Sequence, residues 1–99
     1  MPSLEKIVCE SVQCRGYTLK FKPPLELYPY LDRDGIFVSI YDKNLGIDVC
    51  GYTVGDLLHE LCDELEMLWD RYACANDADL AYAAKVIKYN LLERIEKVR

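Results

Sequence analysis

Between Val54 and Tyr72, apolar side chains recur at helical spacing: Val54, Leu57, Leu58, Leu61, Leu65, Leu68, Trp69 and Tyr72. The opposite face carries Glu60, Asp63, Glu64, Glu66 and Asp70. So one-sided a stripe must be buried, and the rest of the chain has to supply a surface for it. Thr53 is a good N-cap, and Asp56 three residues on favours the positive end of the helix. A helix of roughly twenty residues spans about 30 Å, while strands of about six residues cover about 20 Å. The helix should therefore overhang a sheet, and a second element must cover Leu65 to Tyr72.

The segment before the helix reads as a hairpin. Ile36, Val38 and Ile40 alternate with Phe37, Ser39 and Tyr41, and Ile47 and Val49 alternate with Asp48 and Cys50. Period two with β-branched residues marks strands with one buried face. Asp42-Lys43-Asn44-Leu45-Gly46 between them is polar and ends in glycine, which suits a reversal. Further upstream, Leu4–Val12 reads as a first strand and Tyr17–Lys22 as a second, ended by Pro23-Pro24 because proline cannot donate to a ladder. Leu25–Leu31 is a further strand, confined by Pro29 to an edge or an irregular segment.

After Asn76-Asp77, Leu80, Ala84, Ile87, Leu91, Ile95 and Val98 trace a second amphipathic helix. A short connection between helices makes an antiparallel pair, with Trp69 near Ala84, Leu65 near Lys88, Leu61 near Leu91 and Leu58 near Ile95. The expected fold is thus a single α+β domain over 1–99. It has an antiparallel β-sheet of four to five strands (4–50) and a C-terminal two-helix antiparallel hairpin (54–73 and 78–98) packed on one face.

Composition narrows the function classes. Ninety-nine residues leave room for one core, and 52% hydrophobic content suits a folded globule. No apolar run approaches a membrane span of roughly 20 residues, and Met1-Pro2-Ser3 opens no leader pattern. A cytoplasmic protein is the expectation. The five cysteines lack C-x-x-C spacing and read as reduced thiols, with Cys62 a small core residue beside the leucine stripe. The net charge of −5 is concentrated in residues 25–75, which hold eleven acidic and three basic side chains. Such a surface repels nucleic acid and suits a basic partner.

Catalytic residues are scarce. His59 is the only histidine. His59, Cys62 and Asp63 share a helical turn, which keeps open an alternative of a small enzyme or metal-dependent protein. His59-Glu60-Leu61-Cys62-Asp63 resembles a helical metal motif but lacks its second histidine. Gly51-Tyr52-Thr53-Val54-Gly55 lacks the lysine of a phosphate loop. No cofactor or metal is implied, and the residues point away from an enzyme. The eight tyrosines are more informative, because a half-buried phenol can still hydrogen-bond and so suits interfaces. Tyr28 and Tyr30 lie just before the hairpin.

Phe37-Val38-Ser39-Ile40-Tyr41-Asp42, Leu45-Gly46-Ile47, Gly51-Tyr52-Thr53 and Leu57-Leu58-x-Glu60-Leu61 together resemble the HicB-like antitoxin domain. The resemblance spans roughly 35 residues of strand, hairpin and helix. It implies a sheet crossed by a helix, dimerisation, and binding of a small basic toxin. That family places another strand after the helix, where Asp79–Arg99 here reads as helix. No DNA-binding domain fits in this length, so operator binding is not implied. The sequence therefore leads to a non-enzymatic protein-interaction module, a homodimer that meets a small basic protein. Its expected contact residues are Glu60, Asp63, Glu64, Glu66, Asp70, Tyr28 and Tyr30.

Overall fold

The computed structural model describes residues 4–99, so Met1-Pro2-Ser3, read above for a leader pattern, lies outside the described residues. The chain runs β1 (Ile7–Cys14), β2 (Tyr17–Leu27), β3 (Tyr30–Leu31), β4 (Val38–Asp42), β5 (Ile47–Gly51), α1 (Val54–Leu68), α2 (Tyr82–Arg94) and β6 (Ile95–Val98). A π-helical turn (Trp69–Ala73) continues α1, and a 3-10 turn (Asp77–Asp79) precedes α2.

The fold is α+β, but the strands form two antiparallel three-stranded sheets, ordered β1-β2-β6 and β3-β4-β5, rather than one sheet of four or five. β2 is occupied along both edges, by β1 and by β6, which leaves no ladder for β3 to join. Tyr28-Pro29 separates β2 from β3, and Pro29 has no N–H to offer. β3 is accordingly a two-residue edge pairing, Tyr30 with Ser39 and Leu31 with Val38.

Pro23-Pro24 does not end β2. The strand continues to Leu27, with a cis Lys22-Pro23 peptide. β1 pairs with Leu19 and Lys20 on one side of an irregularity and resumes at Leu25, so both prolines fall where no β1 partner needs an N–H. Alternation survives the detour, because Leu19, Phe21, Leu25 and Leu27 are all buried.

α1 lays Leu57, Leu61, Leu65 and Leu68 on β5, β4 and β1, and these leucines join β2 and β4 residues in one apolar core. α2 does not lie along α1. It packs on the π-helical turn at one end and reaches β2 and β6 at the other. The expected helical hairpin is therefore absent, and Leu58 stays exposed rather than meeting Ile95. The expected helix over 78–98 ends at Arg94, because Ile95 turns to extended backbone (φ −125°, ψ 134°) and starts β6. β6 pairs Ile95 with Phe21 and Val98 with Thr18, which draws the chain away from α1.

Two glycines make the close approaches that join these layers. Gly46 turns the β4–β5 hairpin at φ +76°, and a Cβ there would lie 3.1 Å from Ile87 Cδ1 of α2. Asn90 Nδ2 donates to Asn44 O at 2.7 Å in the same turn, so α2 is seated on the hairpin. At Gly51 a Cβ would come within 2.7 Å of the Leu57 backbone nitrogen. Only glycine lets β5 end directly against the first turn of α1.

Candidate functional site

The site is the outward face of α1 with the β5–α1 junction at its head. Thr53 Oγ accepts the Asp56 N–H at 3.1 Å, and Thr53 O accepts the Leu57 N–H at 2.9 Å, so the helix starts where the sequence places its cap. With the leucines turned to the core, helical periodicity directs Asp56, Glu60, Asp63, Met67 and Asp70 outward. Asp56, Glu60, Asp63 and Asp70 are exposed, and Glu66 is half-buried on the flank.

Among the described residues these carboxylates lack lysine and arginine partners. Among the described residues the ion pairs of lysine are Lys6–Glu26, Lys22–Glu96 and Lys88–Asp77, all away from α1. On α1 itself, His59 Nε2 lies 3.7 Å from Asp63 Oδ2, and Asp70 Oδ1 accepts from Tyr17 Oη at 3.3 Å. Burial foremost, then the charges of Cys14 and Asp70, push the Tyr17 phenol well above its ordinary range, so it remains a donor. Glu64 differs from its neighbours. It is half-buried on the β5 side, and burial, with Asp48 and Glu60 nearby, raises its carboxyl.

Two shallow clefts divide this face. Asp63, Glu66, Met67, Asp70 and Arg71 line one of about 490 Å³. The other, of about 290 Å³, lies at the helix head between Phe37, Tyr52, Asp56, His59 and Glu60. The structure thus groups Glu60, Asp63, Glu66 and Asp70 on one surface and places Glu64 at its edge. Tyr28 and Tyr30 belong elsewhere. Tyr28, 67% exposed, borders a separate cleft of about 620 Å³ beside Pro23, Pro24 and Arg94, and exposed Tyr30 sits on β3.

His59, Cys62 and Asp63 of the alternative cluster all lie exposed on α1. Cys62 is exposed rather than a core residue. Partial burial of its thiol, then the charge of Asp63, raises its pKa and favours the protonated, weakly nucleophilic form. Among the described residues no three His, Cys, Asp or Glu side chains converge to hold a metal ion. No helix among them is long and apolar enough to cross a membrane.

In the sequence Asp56 stands out only as a capping residue and Phe37 only as the outward side of a strand. That both line one cleft depends on Gly51 letting β5 close against the start of α1, and no local pattern in the sequence encodes it. Comparison with family models, with curated proteins and with solved structures gives no match.

Proposed function

We propose that the chain is a protein-interaction module whose α1 face docks a small basic protein. The observation that carries this reading is a helix whose outward carboxylates, Asp56, Glu60, Asp63, Glu66 and Asp70, have no lysine or arginine within ion-pair distance among the described residues. Lys6, Lys22 and Lys88 of the same chain are each paired with an acid elsewhere, so none of them neutralises the α1 face. Unscreened carboxylates on one surface steer a cationic partner and discriminate against anionic ones. A narrower form of the proposal is an antitoxin-like protein that neutralises a basic toxin. It rests on the motif residues Phe37–Asp42, Gly51-Tyr52-Thr53 and Leu57–Leu61. Self-association belongs to the same reading, with exposed Tyr28 and Tyr30 as its surface away from α1.

The test is recovery of partners from the native host at low and high salt, with wild-type bait and a Glu60→Lys/Asp63→Lys/Glu66→Lys variant. The expected outcome is a small basic protein held by wild type at low salt, released at high salt, and not held by the variant. Salt sensitivity follows because the Debye length shrinks from about 10 Å at 0.1 M to about 3 Å at 1 M. A partner retained equally by the reversed variant would show that α1 is not the docking face.

A further inference from the structure

The small cleft at the head of α1 joins carboxylates to an aromatic pair, which the other cleft of the acidic face lacks. Phe37 and Tyr52 stand with ring centroids 4.8 Å apart and planes tilted by 37°, which forms an aromatic wedge. Asp56 and Glu60, one helical turn apart, line the same cleft. No lysine or arginine lines it. At about 290 Å³ it is at the lower end of small-molecule sites, which run from roughly 300 Å³. That size suits one inserted side chain rather than a whole ligand.

The local field favours a cation. The start of a helix carries about half a positive charge, but the two carboxylates outweigh it. The Asp56 N–H is already bonded to Thr53 Oγ, so that backbone donor is not free for an anion. Aromatic faces attract cations through their quadrupole, and a planar guanidinium can stack on a ring while its edge reaches carboxylates. An ammonium offers a point charge without the flat face.

We propose that Phe37 and Tyr52, with Asp56 and Glu60, form a cage for a single arginine side chain of the basic partner. This rests on the reading of α1 as a docking face and adds the anchor that gives it chemical selectivity. The remaining acidic face supplies long-range attraction, and the cage distinguishes arginine from lysine. Tyr52 is 69% exposed in the free protein, so its ring is available to the incoming side chain.

The experiment is an NMR titration of the full chain at low ionic strength with acetylated, amidated tri-arginine and with the matching tri-lysine peptide. Tri-arginine should bind roughly two- to fivefold more tightly, the scale of one exposed cation–π contact, and should move the ring resonances of Phe37 and Tyr52. Tyr52→Ala should erase the preference while leaving tri-lysine binding nearly unchanged, and Tyr52→Phe should keep the preference. Glu66→Gln, outside the cage, should weaken both peptides alike. Equal affinities for wild type, or a preference that survives Tyr52→Ala, would overturn the cage and leave the acidic docking face standing. Failure of both peptides to bind wild type would overturn the two together.

Discussion

α1 and α2 are of similar length, 15 and 13 residues, yet they divide their side chains in opposite ways. α1 buries four leucines in a line and turns its acids outward without lysine or arginine partners among the described residues. α2 buries only Leu91 fully, and it leaves Tyr82, Val86, Tyr89 and Leu92 exposed. Its charges work inside the chain instead. Lys88 donates to Ala75 O at 2.6 Å and to Asp77 Oδ1 at 2.7 Å, and Arg94 donates to Pro23 O at 3.3 Å. One helix holds the core and keeps its charge for the outside. The other spends its charge on tying the connecting segment and the β2 detour into place.

The widest gap between the two helices should appear on truncating a leucine in each. Leu61→Ala, at a position 1% exposed, removes core contacts from α1 and should cost about 2–5 kcal/mol in denaturant unfolding. Leu92→Ala, at a position 45% exposed, should fall within about 0.5 kcal/mol of wild type. Comparable losses at both sites would mean that α2 is packed much as α1 is.

A smaller effect separates the two charge economies. Lys88→Met keeps the aliphatic stem but takes the lysine donor from Ala75 O and from Asp77 Oδ1, at a side chain only 14% exposed. The expected loss is about 1–3 kcal/mol. Glu66→Gln on α1, which breaks no internal ion pair, should leave the unfolding midpoint unchanged. A stability loss at Glu66 would contradict the view that the α1 acids are uninvolved in folding.

The smallest effect is in acid. Hydrogen bonds from Lys88 and from Tyr89 hold the Asp77 carboxyl below its usual range. A depressed folded pKa contributes stability that is present above the unfolded value near 3.8 and lost as pH falls through the folded value. Amide protection factors in the segment before α2, taken relative to the intrinsic exchange rate at each pH, should therefore fall below about pH 4, and Asp77→Asn should remove that dependence. An unchanged acid profile in the variant would place the sensitive carboxylate elsewhere.

The same contrast explains what could be read from the sequence. α1, its Thr53 cap and the β4–β5 hairpin carry repeated local signals that all agree, and the structure has each of them. The later elements carry conflicting ones. Leu91, Ile95 and Val98 fit a helical spacing, but the hydrogen-bonding edge of β2 captures Ile95–Val98 as a strand. That edge comes from residues near the other end of the described chain, so no window around Ile95 contains the deciding partner. Pro23-Pro24 gave the reverse error. A local stop signal was overridden because β1 asks for no hydrogen bond there. At the candidate site the acids of α1 were legible as a face, whereas the pairing of Phe37 with Tyr52 required the tertiary fold.

The β2–β6 ladder also sets an order of assembly. Residues 30–73 contain β3, β4, β5 and α1, whose mutual contacts are close in sequence and can form early in folding. The β2–β6 ladder closes more slowly, because Thr18 meets Val98 across about eighty residues. Until β6 docks, one edge of β2 is open to any other extended segment. A refolding chain should thus carry its acidic face before its β-structure is closed, and it would be most prone to aggregate in that interval.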